Sequence, residues 1–316
     1  IIKTMNENLS KNILEVKSLN KRYKNIHAVN DISFSLEQGD VFAFLGPNGA
    51  GKTTTLRMLL DIIRPDSGTI KWNVSGNVGS VPPSENIGYL PEERGLYTDV
   101  PIIKSLVYMA AIRGMDPALA KKAAMEWLEK FELADRAKEK LQVLSKGNQQ
   151  KIQFIASIIH KPAFAILDEP FSGLDPINQE NFIEYIRDLN LQGTTILLSS
   201  HQMPLVEKIA KKVFLINQGQ KIFCGTLSEL YKGFEKQQVL NISFNSNVNE
   251  ERLKLLPEVE NINWINPQEV KITFKAGVDL NNALSELIKI DSINNISSHN
   301  PDLHDIFLNL VKNHKL

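Results

Sequence analysis

Gly46 to Thr54 reads GPNGAGKTT, the full pattern G-x-x-x-x-G-K-[ST]. Its glycines Gly46, Gly49 and Gly51, with Pro47, Asn48 and Ala50 between them, suit a loop whose backbone N–H groups curl around a triphosphate. Lys52 then sets a cation against the β- and γ-phosphates, the Thr53 hydroxyl can ligate Mg2+, and Thr54 can reach the α-phosphate. A second stretch, AFAILDEP, ends an apolar run in Asp168 and Glu169. Asp168 is suited to hold Mg2+ through water, and Glu169 beside it to polarise an attacking water as general base. A third run, TTILLSSHQM, delivers His201, expected at the same sheet edge and against the γ-phosphate. No N-K-x-D stretch accompanies these motifs, which excludes the usual guanine-recognition pattern. A fourth stretch, LSKGNQQK from Leu144 to Lys151, is a polar turn entering the helical KIQFIASIIH. A helix start of this kind is a second anion site, because its free N–H groups and positive dipole end point outward.

These residues need strands that end together. DVFAFLG, AFAILDE and TTILLSSH are near-continuous apolar runs with polar or Gly ends, as buried parallel strands with ligand groups at their carboxyl ends are. ILEVKSLNKRY and AVNDISFSLEQGD alternate by twos and predict antiparallel strands. Between about 101 and 160 the spacing turns helical, with Asp116-Pro117 a good N-cap and N1 pair, which predicts a helical insert. After Gly225 an Asn-rich tail predicts β-α-β-β-α-β, a ferredoxin-like arrangement, and a last helix PDLHDIFLNLVKN. The expected fold class is α/β, with a mainly parallel P-loop core sheet, an antiparallel β subdomain, a helical insert and a small α+β C-terminal domain. The expected divisions are a flexible 1–12, a nucleotide-binding domain over 13–225 and an accessory domain over 226–316.

Lys plus Arg equals Asp plus Glu at 36 each, so no net field favours nucleic acid or an anionic membrane. One cysteine, Cys224, excludes an internal disulfide and suits a reducing compartment. No apolar run approaches the roughly 20 residues of a spanning helix, and the polar start IIKTMNENLSKN lacks an apolar signal core. A cytoplasmic protein is expected, with any membrane role exerted through a partner. His299 and His304 are expected to be isolated and solvent-exposed.

LGPNGAGKTT, LSKGNQQK, ILDEPFSGLDP and SSHQM stand in the order and spacing of the ATP-binding subunits of ABC transporters, and the resemblance covers about 13–225. It implies an ATPase using ATP and Mg2+, two subunits packed head to tail, and a separate integral membrane permease that would hold the chain at the inner face of the cell membrane. The turn at Ser145 and Gly147 would then close over ATP on a second subunit, a homodimer partner or a paralogue. Binding drives closure because only ATP offers the γ-phosphate that both halves grip. The resemblance further implies that Asp175, in SGLDP, crosses the seam and that Tyr23 stacks on adenine. Two positions depart from the family pattern. Lys146 and Asn148 replace Gly and Gln in L-S-G-G-Q, with Lys146 expected to face solvent. Glu92 stands where a Gln that senses Mg2+ is usual, and its carboxylate still offers oxygen to the metal or its water. LPEERGLY, LSKGNQQK and the C-terminal domain resemble subunits of ABC-2-type exporters, including those tied to sodium extrusion. Two other classes are a non-transport ABC ATPase acting on ribosomes or DNA, and a regulatory ATP-binding module. One P-loop, no long heptad run and no basic excess disfavour the first, and Glu169 with His201 disfavours the second.

Overall fold

The computed structural model describes residues 12–93, 95–235 and 237–313. Of the N-terminal segment expected over 1–12, residues 1–11 lie outside the described residues, and Asn12 already opens the first strand. The chain divides into two compact units, the first ending at Gly225 and the second beginning at Thr226.

In chain order the first unit comprises β1 (Asn12–Tyr23), β2 (Ile26–Glu37), β3 (Val41–Leu45), α1 (Lys52–Leu59), β4 (Ser67–Val74), β5 (Asn77–Gly79) and β6 (Ile87–Leu90), then α2 (Ile102–Ala111), α3 (Pro117–Lys130), α4 (Lys146–Ile158), β7 (Phe164–Asp168), α5 (Pro176–Leu191), β8 (Thr195–Ser200), α6 (Met203–Glu207), β9 (Lys212–Asn217) and β10 (Gln220–Thr226). Its larger sheet has the order β10-β9-β3-β8-β7-β6, and the pairs β9/β3, β3/β8, β8/β7 and β7/β6 are parallel. Every residue of β3, β7 and β8 is buried, which is why these runs are apolar without alternation. A second, antiparallel sheet, β2-β1-β4-β5, lays its inward side chains on the first. Phe34 of β2 lies 5.4 to 5.7 Å, ring to ring, from Phe42, Phe44 and Phe214, and Trp72 of β4 meets Phe164 edge-on at 5.0 Å. These rings place both sheets around one core, and the Trp72 Nε1–H donates to Leu59 O at the end of α1.

The helical insert is α2, α3 and α4, with Asp116 capping α3 through the amides of Ala118 and Leu119 as its type and place predict. Phe154 of α4 packs on Phe182 of α5 at 4.9 Å and near Phe131 at 6.1 Å, which ties the insert to the α/β core. His160 follows α4 and is partly buried, with Nε2 3.1 Å from Ile87 O and Nδ1 buried without a hydrogen-bond partner. Burial holds its pKa below the ordinary 6.5. The unfolded chain therefore binds more protons between those two values, and stability present above about pH 6.5 is lost as pH falls through the folded value. Urea midpoints measured from about pH 7 down to pH 5 should fall less steeply for His160→Gln than for the parent chain. Equal slopes would show that His160 carries none of the acid sensitivity.

The second unit contains α7 (Leu227–Lys232), β11 (Val239–Phe244), α8 (Glu250–Lys254), β12 (Val259–Asn266), β13 (Glu269–Phe274), α9 (Leu280–Ile290), β14 (Ile293–His299) and α10 (Leu303–Asn313). Sheet order β12-β13-β11-β14, with all three pairs antiparallel, is the ferredoxin-like arrangement. Leu240, Ile242, Phe244, Val270, Ile272 and Phe274 of the sheet bury one face against Leu253 of α8 and Ala283 and Leu287 of α9. The expectation of isolated, exposed histidines holds for His304 alone. His299 is half-buried, and its ring lies within 4.8 Å of carboxylate oxygens of Asp302 and Asp305. The fold makes this meeting by turning β14 directly into α10, which sequence spacing does not show. Lys271 already pairs with both carboxylates, with Nζ 2.6 Å from Asp305 and 3.4 Å from Asp302, and the two aspartates cap α10 by accepting each other's backbone N–H.

Candidate functional site

Parallel register brings the candidate residues to one sheet edge. Leu45 pairs with Ser200 and Asp168 with Ser199, while Leu90 pairs with Leu167. The residues just past those strand ends are Gly46, Glu169, His201 and, by way of Pro91, Glu92. A cleft of about 410 Å3 lies there, lined by Ala28, Pro47 to Thr54, Glu92 and Glu169. Its loop requires glycine at two points: a Cβ on Gly46 would stand 2.2 Å from Ile216 O, and one on Gly51, at φ +105, 2.2 Å from Ala28 O. Gly51 leads into α1 with no side-chain cap, so the first amides of α1 remain for an anion. Lys52 is buried beneath the loop, donating to Gly46 O at 2.8 Å and Pro47 O at 3.3 Å. Its Nζ is 3.7 Å from Glu169 Oε1.

Glu169 is buried and hydrogen-bonded to Ser199 and Ser200, with His201 close to an Oε1 that makes no hydrogen bond among the described residues. Its Oε1 lies 2.9 Å from His201 Nδ1, its Oε2 accepts the Ser200 hydroxyl at 3.4 Å, and its N–H donates to Ser199 O at 3.1 Å. Its backbone sits at φ +49, a left-handed conformation that costs a glutamate on the order of 1–3 kcal/mol and fits a residue held for chemistry. Asp168 is fully buried, and burial holds its pKa above the ordinary carboxylate value against the opposing hydrogen bond from Ser199. One oxygen accepts the Ser199 hydroxyl, while Oδ2 is buried with no hydrogen-bond partner. An orphaned carboxylate oxygen near the Thr53 hydroxyl, with Glu92 on the same cleft, is an oxygen-only donor set of the kind Mg2+ takes.

The turn at Ser145 to Gly147, the signature turn, does not line this cleft. Ser145, exposed, caps the 13-residue α4 by accepting the Asn148 N–H at 3.3 Å, which leaves its own O–H free to donate elsewhere. Gly147 lies in the first turn of α4, close against the next loop: a Cβ there would meet Gly173 O at 3.2 Å. Asp175 is exposed and caps α5 through the Asn178 N–H, and the hydrogen bonds from Asn178 hold its pKa below the ordinary carboxylate value. Lys146 is exposed, as its position predicts. Tyr23 closes β1 and is 42% exposed, with Lys21 Nζ 5.6 Å from its ring centroid, and it lies outside the residues that line the cleft.

A sequence profile of the ABC transporter family matches residues 29–172. The uncharacterized ABC transporter ATP-binding protein YhaQ of Bacillus subtilis (strain 168) is 37% identical over 302 residues, spanning 95% of this chain and 98% of its own. The linearmycin resistance ATP-binding protein LnrL of the same organism is 31% identical, spanning 95% and 98%. This chain belongs to the ABC transporter ATP-binding proteins. A solved ATP binding subunit of an ABC transporter superposes with a TM-score of 0.64 at 29% identity, covering 71% of this chain and 93% of that one. The chain is therefore an ATP-binding subunit and an ATPase. ATPase subunits of the family dimerise and pair with a membrane permease. Among the described residues no helix is long and apolar enough to cross a membrane.

This ABC subunit also uses residues the motifs do not name. Ser199 and Ser200 precede His201 and hold the two carboxylates; their signal is a pair of hydroxyls closing an otherwise apolar strand. Gln150 and Gln153, buried on α4, reach Pro170 O and the carbonyls of Pro91 and Glu93. Their signal is two amides three residues apart on the apolar side of a helix.

Proposed function

We propose that two such subunits meet head to tail and enclose two ATP molecules, each gripped by the P-loop of one chain and the signature turn of the other. What supports this is that Ser145 and the N-terminus of α4 present donors at the surface yet take no part in their own chain's cleft. In this reading Gly46, Pro47, Asn48, Gly49, Ala50 and Gly51 cradle the phosphates, with Lys52 and Thr54 against them. Tyr23 stacks on adenine, and Asp175 lies along the seam. Thr53, Asp168 and Glu92 hold Mg2+, which when bound offsets charge on the β- and γ-phosphates. Glu169 takes a proton from the attacking water while His201 faces the γ-phosphate. Ser145 and Gly147 donate to the partner's γ-phosphate. ATP thus bridges the halves and ADP does not, so binding closes the dimer and hydrolysis releases it.

The dimer drives export through a separate permease, which keeps the chain at the inner face of the membrane. Two features support a docking groove at the helical insert: the Glu92 loop beside it, and exposed Tyr97, Tyr108 and Ile112. LnrL, a resistance protein by name, matches along nearly the whole chain and supports an exporter. The tagged chain, drawn from detergent-solubilised membranes of its own host, should bring a multi-span membrane protein in comparable amount. Proteoliposomes of the pair should hydrolyse ATP faster than the chain alone. Recovery with ribosomes or DNA in place of a membrane protein would overturn the export reading.

A further inference from the structure

Among the described residues, it is the side chain of Gln153 that hydrogen-bonds the Glu92 loop to the signature helix. Gln153, 4% exposed, stands two turns into α4 and donates both amide hydrogens, to Pro91 O at 2.9 Å and to Glu93 O at 3.2 Å. These carbonyls flank Glu92 on either side. Two anchors fix a peptide segment's orientation as well as its position, and Glu92 between them has its direction set towards the cleft that it lines. Outside the β6–β7 ladder, no backbone hydrogen bond joins Pro91, Glu92 or Glu93 to other described residues. One turn earlier Gln150, 3% exposed, donates to Pro170 O, directly after Asp168 and Glu169. The helix that begins at Ser145 is thus bonded to both acidic loops of its own subunit.

We propose that Gln153 is a positioning residue for Glu92, tying that loop to the signature helix so that the two move as one body. It carries the state of a subunit's own ATP site to the signature turn offered to its partner. This rests on the reading that Glu92 contributes to the metal site. An amide suits this role, since Gln is the one uncharged side chain of this length that offers two donors, and a buried amide cannot exchange its carbonyl partners for water.

The test is a double-mutant cycle on the full chain, with Gln153→Met, which keeps length and volume but has no donor, and Glu92→Ala. Each variant alone should slow turnover by about tenfold, and the two together by the same factor of about ten, since both disable one device. ATP-driven dimerisation, followed by size exclusion in a Glu169→Gln background, should show the same non-additivity. Without nucleotide, amide hydrogen exchange at the end of β6, where the ladder to β7 leads into the Glu92 loop, should speed up in Gln153→Met while β3 keeps its protection. If the pair slows turnover by about a hundredfold, the residues act independently and the proposal is wrong. Wild-type turnover or unchanged exchange in Gln153→Met would overturn it with the Glu92 reading intact, whereas wild-type turnover in Glu92→Ala would remove the reading beneath it. Should Gln153→Met not fold, Gln153→Glu, which keeps the length but accepts where Gln donates, takes its place.

Discussion

Glu169→Gln is expected to lower ATP turnover by about 10²–10⁴-fold, the range a positioned general base supplies, while ATP stays bound. The substitution keeps the shape of the side chain, so the buried pocket formed by Lys52, Ser200 and His201 still closes around it. It removes the capacity to accept a proton, and with it a negative charge 3.7 Å from Lys52. That charge repels a γ-phosphate lying against the same lysine, so ATP affinity should hold or rise. Nucleotide that cannot be hydrolysed cannot release the dimer. A dimer should therefore accumulate on size exclusion with ATP and not with ADP. Wild-type phosphate release by Glu169→Gln would remove this residue from the chemistry.

Ser145→Arg should leave ATP affinity of the isolated chain within about twofold and abolish ATP-driven dimerisation, with turnover falling by about a hundredfold or more, as loss of an anion-binding donor does. The side chain lies outside its own cleft, which accounts for intact binding, and an arginine there fills the space a partner's γ-phosphate would enter. Ser145 also caps α4, and loss of a cap costs about 1 kcal/mol. Ser145→Asp separates the two roles. It keeps an acceptor for the Asn148 N–H, so α4 stays capped, yet sets a negative charge against phosphate. It should be as stable as the parent in urea and equally unable to dimerise. Loss of ATP binding by isolated Ser145→Arg chains would place the signature turn in its own chain's site.

Much of this site is legible because the chemistry sits where buried strands end. An apolar run such as AFAIL cannot continue into Asp168 and Glu169 without a reason, and parallel register then brings those ends together. The C-terminal unit is legible for the same kind of reason: period-two strands and capped helices recur in the order that a four-stranded antiparallel sheet needs. Other features depend on three-dimensional packing. The left-handed backbone of Glu169 has no sequence signal, since glutamate ordinarily avoids that conformation. Gln153 shows in the sequence only as an amide on the apolar side of a helix, and the carbonyls that it holds come from a loop some sixty residues earlier. His299 meets Asp302 and Asp305 only because β14 turns into α10. Helix α7 was within reach, because Thr226 and Glu229 form a capping box ahead of it, but six residues give periodicity too little length to register. The destination of the signature turn is a different case. One chain's geometry shows donors at the surface, and the proposal that a partner receives them rests on the family resemblance.

Mixing two inactive chains tests that partnership most directly. Ser145→Arg has an intact P-loop and a blocked signature turn, while Lys52→Ala has a defective P-loop and an intact signature turn. A mixed dimer joins the sound half of each into one working site. Turnover by an equimolar mixture should rise well above the sum of its components, towards roughly a quarter of the wild-type rate if subunits pair at random and one of two sites in each mixed dimer works. A mixture no more active than its two components measured separately would contradict a site shared between chains.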